Sequence, residues 1–404
     1  MPQAAGVFKQ LAYKAESVYG TAPAASAAQS LRRVSSDLSL VKETYTSNEI
    51  RSDQQMQDMR HGARRVDGTI QGEISPGTYA DFLDAALRRV RTVGASAAAQ
   101  SITVAGSAPN WTVTRAAGSW LTDGFKRGDV VRLTAGAFNG ANSNKNLLVT
   151  GITATVLTVR VLNATVLVAE GPIATATCAV TGRKNFVPSS GHTNVSFSIE
   201  HWFADVPASE VHRGCQPTQV DLQMPATGLA TMSIGIRGQD ITAASGQYFT
   251  SPTAASATGI TASVNGLLLV GGVVIAYLTG LTMQIQSPRS GDPVVGNNTV
   301  PNLFPGRVLV SGQATAYFED VTLRDAFINE TELEIVVVLT SDNTAASHFV
   351  AFTLPRVKIN GSSKSDGEGG LIQTIPFQAL LPTTGGAGLA NELTTISYQD
   401  SAAA

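Results

Sequence analysis

Five histidines, two cysteines and one close pair of glutamates are the side chains from which a catalytic or metal site would have to be built. His61, His192, His201, His212 and His348 show no ligand spacing: His192 and His201 stand nine positions apart, and no cysteine or carboxylate pattern completes a zinc or iron set. Cys178 and Cys215 read as buried thiols, since one pair makes no disulfide framework. The glycine-flanked run Gly266-Leu267-Leu268-Leu269-Val270-Gly271-Gly272 lacks the lysine and helix of a phosphate-cradling loop, and the nucleophile-elbow spacing of a hydrolase is missing. Glu332 and Glu334 on a strand point to one environment, which suits a solvated or lumenal surface better than an acid–base dyad. These residues predict no enzyme, no metal and no cofactor.

The elements that carry them are β-strands. Gly, Ser, Thr, Ala and Val dominate. Runs such as Ser196-Phe197-Ser198-Ile199, Met232-Ser233-Ile234-Gly235-Ile236 and Leu333-Glu334-Ile335-Val336-Val337-Val338 are short, alternating or apolar, and bounded by turn residues. A chain of 404 residues is long enough for two or three domains with cores of their own. Its 28 basic and 30 acidic side chains argue against a protein that coats nucleic acid. The N-terminus lacks the basic-then-apolar pattern of a secretory signal. Residues 267–278 are too few to span a bilayer and read as a buried strand, so no membrane partner is expected.

One pattern occurs twice. Val66-Asp67-Gly68-Thr69-Ile70-Gln71-Gly72-Glu73-Ile74 returns 244 positions later as Val310-Ser311-Gly312-Gln313-Ala314-Thr315-Ala316-Tyr317-Phe318, and Asp81 has its counterpart in Asp325. A helix follows each copy. The first is predicted to start at Ser75 as N-cap with Pro76 behind it. Its apolar stripe is Tyr79, Phe82, Leu83, Ala86 and Leu87, and Arg88, Arg89 and Arg91 complement its C-terminal end. The second, with Leu323 and Phe327 after Asp320, is one or two turns long. Each copy then continues into a hairpin. Gln219 to Met224 and residues 229–238 flank a tight turn in the first, while Arg356 to Asn360 and residues 371–377 flank a Gly/Ser-rich tip over 361–370 in the second.

Residues 102–181 interrupt the first copy only. Phe125-Lys126-Arg127-Gly128-Asp129-Val130-Val131-Arg132 resembles the turn and strand of a small SH3-like barrel, read as an outward-facing decoration on a surface loop. The expected division is a discontinuous first unit over 1–96 and 184–250, an inserted β-domain over 97–183, a connecting segment over 251–278, and a second unit with a C-terminal arm over 279–404. One polar segment, residues 49–65, joins two strands and is rich in mixed charge, the character of a recognition loop.

Leu40-Val41-Lys42-Glu43-Thr44-Tyr45-Thr46-Ser47-Asn48-Glu49-Ile50-Arg51 and the stretch from Arg60 to Tyr79, with Gly370-Leu371-Ile372-Gln373-Thr374-Ile375-Pro376-Phe377-Gln378-Ala379-Leu380 near the C-terminus, resemble the major tail tube protein of long-tailed, non-contractile (siphovirus-type) bacteriophages. The resemblance covers most of the chain outside residues 102–181. It implies two tandem β-sandwich tube domains, each with a flanking helix, in a structural virion protein that polymerises into stacked rings for DNA ejection. In that family six domains make a ring and their inner strands join into one barrel. A chain with two such domains would form trimers with pseudo-sixfold symmetry.

The resemblance further implies that residues 49–65 form the ring-stacking loop, with Arg51, Asp53, Asp58, Arg60, Arg64 and Arg65 facing the next ring, and that the terminal arms over 2–19 and 389–404 add to that contact. Residues 287–305 take the equivalent place in the second copy with little charge. A mildly acidic lumen repels phosphates, and Asp67, Glu73, Asp221, Glu332 and Glu334 are its candidates. The implied partners are further copies of the chain, the tail terminator and distal tail proteins, the tape measure protein, and phage DNA held without sequence-specific binding. The implied location is the virion tail, after assembly in the host cytoplasm. The rival readings are hexameric rings, or another virion or surface β-protein such as an adhesin.

Overall fold

The computed structural model describes residues 3–163, 166–275, 277–366 and 368–403. Its first block opens with β1 (Lys9–Ala15), β2 (Ser39–Thr46), β3 (Met59–Glu73) and helix α1 (Ala80–Leu87). Six strands then close a barrel: β4 (Ser96–Ser107), β5 (Asn110–Arg115), β6 (Val130–Thr134), β7 (Leu147–Ile152), β8 (Val156–Val161) and β9 (Glu170–Val180). The block resumes with β10 (Arg183–Phe186), β11 (Phe197–Phe203), β12 (Ala208–Pro225), β13 (Thr231–Gly238) and β14 (Asp240–Ala244). The second block holds β15 (Gly266–Val270), β16 (Leu278–Gln286), β17 (Leu309–Tyr317), α2 (Thr322–Ile328), β18 (Leu333–Thr340), β19 (Phe349–Ile359), β20 (Ile372–Ala379) and β21 (Ser397–Asp400).

The repeated sequence is a repeated topology. In the first block β1 pairs with β11, β11 with β12, β12 with β13 and β14, β13 with β3, and β3 with β2. In the second block β15 pairs with β18, β18 with β19, β19 with β20 and β21, β20 with β17, and β17 with β16, the same order. The two blocks then join edge to edge, because β12 also pairs antiparallel with β16, from Gln219 opposite Gln286 to Pro225 opposite Gly280. One continuous sheet results, in the order β2, β3, β13, β12, β16, β17, β20, β19.

Strict alternation sorts this sheet into two faces. Val66, Ile70, Val220, Leu222, Ile234, Leu281, Met283, Ile285, Val310 and Phe377 are buried on one side, in a single apolar core that runs through both blocks. The core is richest under α1. There Phe82 lies 4.8 Å from the Tyr13 ring and 5.0 Å from the Phe197 ring. Asp81 and Asp84 on the same helix hold Arg91 at 2.7 and 2.8 Å, and Tyr13 donates to Asp81 at 2.8 Å. In α2 only Ala326 is buried.

Helix α1 begins four residues later than an N-cap at Ser75 predicts, with Tyr79 as N-cap. Gly77 adopts φ +78°, which no helix interior accommodates, and its N–H donates to Asp400 at 2.7 Å. Ser75 instead bonds Thr78 at 2.6 Å across that turn. Other expectations shift as well. The segment expected to connect the blocks, 251–278, contains the core strand β15. The supposed arm over 389–404 contains β21, which pairs with β10 and β19, while Ile396 and Tyr398 sit in the core. The N-terminal arm likewise contains β1, with Leu11 and Tyr13 buried. Residues 9–15 and 397–400 are therefore held inside the chain by strand pairing.

The barrel, inserted in the first block, docks on the second. Val130 and Leu148 pack with Val336, Val338, Phe349 and Ala351 on the outer face of β18 and β19. Around this seam Gln399 bonds both backbone groups of Val130 at 2.8 and 2.9 Å, and Asn146 donates to the Ser347 carbonyl at 2.9 Å. Buried Asp129 accepts from Lys184 at 2.5 Å and from the Lys126 N–H at 2.9 Å. The insert is a clamped layer of the fold.

Candidate assembly surfaces

The polar side of the eight-stranded sheet carries Thr69, Gln71, Ser233, Gln219, Gln223, Thr282, Gln284, Ser311, Gln313, Thr374 and Gln378, opposite the core-facing residues of the same strands. Asp67, Glu73 and Asp221 lie on this face. Asp221 accepts from Gln219 at 2.6 Å and Gln284 at 2.8 Å, so a carboxylate stands inside an amide row at the block junction. Asp67 is held by Arg65 at 2.6 Å. The surface is dominated by amides and hydroxyls, and Arg65, Arg237 and Lys358 offset its acids, so it is less acidic than the sequence suggests.

Glu332 and Glu334 are elsewhere. Strand β18 belongs to the other layer, paired with β15 and β19. Glu334 is ion-paired at 2.5 Å with Arg127 of the barrel and its side chain is 10% exposed, while burial raises its carboxyl pKa. Glu332 binds Arg356. Glu334 lies on β18 and Glu332 one residue before it, in the layer away from the polar face, because the long-range pairing with β15 decides which layer β18 joins. Neither lies on the polar face.

The β2–β3 hairpin is the second surface. Its tip, residues 47–58, is exposed, with Ile50 and Met56 accessible. Arg51 pairs with Asp53 at 2.9 Å and Arg60 with Asp58 at 3.0 Å, so four of the six expected stacking residues lie at or beside the tip and are matched locally. Arg64 and Arg65 stand at the root. Arg64 is committed within the chain to Asp240 at 2.8 Å, which Arg213 also holds at 3.1 Å. The corresponding segment of the second block, 287–308, does not project. Arg64 N–H donates to the Asn298 carbonyl at 2.8 Å, Gln239 donates to Val300 at 3.0 Å, and Arg289 reaches Asn194 at 2.6 Å. It is folded back over the first block.

Among the described residues one group could offer metal ligands: His201, Glu210 and His212, whose ligand atoms lie within 4.8 Å of one another. Sequence spacing hides it, because pairing of β11 with β12 sets His201 opposite Glu210 and Ile199 opposite His212. His201 already bonds Ser36 at 2.9 Å and His212 the Ile199 carbonyl at 3.2 Å, and the cations Lys9 and Arg33 act on His201. The geometry fits a neutral histidine pair. Burial, with the neighbouring ring, pushes the pKa of His201 down to about 2, and burial pushes that of His212 down to about 4. The unfolded chain therefore takes up two protons below about pH 6.5 that the folded chain refuses. Stability is fully present above that pH and falls on acidification, by on the order of 2 kcal/mol per histidine at pH 5. Urea midpoints measured from pH 7.5 to 5 should show this slope, and His212→Gln should remove its share.

The chain is a mainly β protein with a duplicated sandwich, a broad polar sheet and a projecting hairpin, and no described helix is long and apolar enough to cross a membrane. The profile of the phage tail tube protein family matches residues 9–379, and the chain belongs to that family. Membership carries a structural role in the virion tail and self-assembly into a tube. Comparison with curated proteins gave no sequence match.

Proposed function

We propose that three chains close each ring of the tube with pseudo-sixfold symmetry, that rings stack through the β2–β3 hairpin, and that the polar face of the eight-stranded sheet lines the lumen through which DNA leaves. The observation that carries this reading is the junction inside the chain. Two blocks of four strands each, equivalent in order, are already joined through residues 219–225 and 280–286. A family ring of six tube domains then needs three such chains. A lining of amides and hydroxyls with balanced charge hydrates the wall without offering the cationic surface that would hold phosphates. The first unit over 1–96 and 184–250 and the second over 279–404 act as the two tube domains, the second completed by β15. The tube would dock on terminator and distal tail proteins, and enclose the tape measure protein before DNA passes.

Electron microscopy of assembled tubes tests the count. Threefold rings with three barrel-sized protrusions are expected; sixfold rings with six protrusions would overturn the proposal. The hairpin is tested separately. Arg51→Glu with Arg60→Glu changes two exposed side chains, so the melting temperature should move little while tube length collapses to single rings or short stacks. Tubes of unchanged length in that variant would remove the hairpin from the stacking contact.

A further inference from the structure

The sheet has two open edges: among the described residues β2, with the short strand Ser35–Ser36 before it, pairs only with β3, and the short strand Ser363–Lys364 pairs only with β20. Such edges are reactive unless something covers them. The chain itself contains a template for the cover. The first block's last strand is already paired with the second block's first strand, so the same junction, carried round the ring, specifies how the second block's last strand meets the first block of the next chain.

The register follows from the pairings. Val66 and Val310 are equivalent in the repeat; Leu40 pairs with Val66, whereas Ile285 pairs with Val310, so Leu40 corresponds to Ile285 and Ser39 to Gln284. On the other side, Cys215 faces Phe197 at the start of β11, and Val357 faces Leu333 at the start of β18. Both strands then carry a one-residue irregularity, between Pro217 and Gln219 in one and between Ile359 and Ser363 in the other. Residues 219–224 therefore correspond to 361–366, not to Arg356 to Asn360 as the order of hairpin elements in the sequence suggests. Asp221 stands opposite Gln284 inside the chain.

We propose that chains meet in the ring by antiparallel pairing of residues 361–366 of one with residues 36–41 of the next, in the register Gly361 to Val41, Ser363 to Ser39 and Ser365 to Asp37. This rests on the ring reading above. In that register Ser363 and Ser365 fall opposite Ser39 and Asp37 on the polar face, and the Gly/Ser composition of 361–366 lets it lie flat against β2.

The experiment is a cysteine pair, Ser39→Cys with Ser363→Cys, in the full chain. Both positions lie on the sheet's open edges, and the native thiols Cys178 and Cys215 are fully buried. Within one chain the two positions are seven strand spacings apart, roughly 30 Å, so only neighbours can link. Oxidation of assembled tubes should give a covalent ladder ending at three chains, while the shifted pair Val41→Cys with Ser363→Cys should give at least tenfold less product. Efficient linking of the shifted pair, or none from either pair in tubes that microscopy shows to be threefold, would overturn the register and leave the trimer standing. A ladder that continues to six chains would sink the ring reading itself.

Discussion

Phe82→Ala should destabilise the protein by about 3–5 kcal/mol, the cost of emptying a fully buried aromatic site that cannot collapse. Phe82 has no accessible surface and stacks between Tyr13 and Phe197, so its removal strips contacts from α1, β1 and β11 together. The comparison is Phe327→Ala in α2, one position past Ala326, the counterpart of Phe82, where the ring is 40% exposed. That change should cost less than about 1 kcal/mol. Denaturant midpoints of the two variants measure the asymmetry directly; equal losses would mean that the second sandwich closes over α2 in the assembled chain.

Lys184→Met should be comparably severe, about 3–5 kcal/mol, because it leaves the buried Asp129 carboxylate with one N–H donor in place of a counter-charge. Burial already raises the pKa of Asp129, and Lys184 opposes that rise. The double change Asp129→Asn with Lys184→Met should recover more than half of the loss, since it removes the stranded charge as well as the bond. Because this pair sits where the barrel meets β10 and the segment that precedes β21, limited proteolysis should cut the single variant near residues 94–96 and 181–183 before other sites. Intact barrel joints in a variant of normal stability would show that apolar packing of Val130 and Leu148 alone seats the insert.

The local features of the fold were legible because they are written in neighbouring residues. The recurrence of Val66 to Ile74 at Val310 to Phe318 marks the duplication, and the alternation along β3, β13 and β17 marks its faces. The interruption after α1 was legible because the second copy has nothing there. What was hidden depends on distant partners. Nothing near Ser397–Asp400 signals that it pairs with residues 183–186 over two hundred positions away. Asp400 captures the amide of Gly77 and so moves the start of α1. The lumen candidates divided the same way: Asp67, Glu73 and Asp221 are on strands whose place follows from the repeat, while Glu334 is claimed by Arg127 from an insert that the repeat does not contain. His201 and His212 meet only because β11 folds back along β12.

The seam between Gln219–Pro225 and Gly280–Gln286 also bears on how fast a ring can be made. Joined by one polypeptide, its two sides see each other at an effective concentration on the order of millimolar, whatever the concentration of the chain in the cell. Every second junction of the proposed ring is thus formed before two molecules collide. Closure becomes a three-body process instead of a six-body one, with fewer incomplete arcs to stall or misjoin. The seams within each chain, lined by Val220, Leu222, Met283 and Ile285 and backed by the continuous polypeptide, would also outlast the Gly/Ser seams between chains, so a ring under strain would part at three places into whole two-domain units and never into single domains.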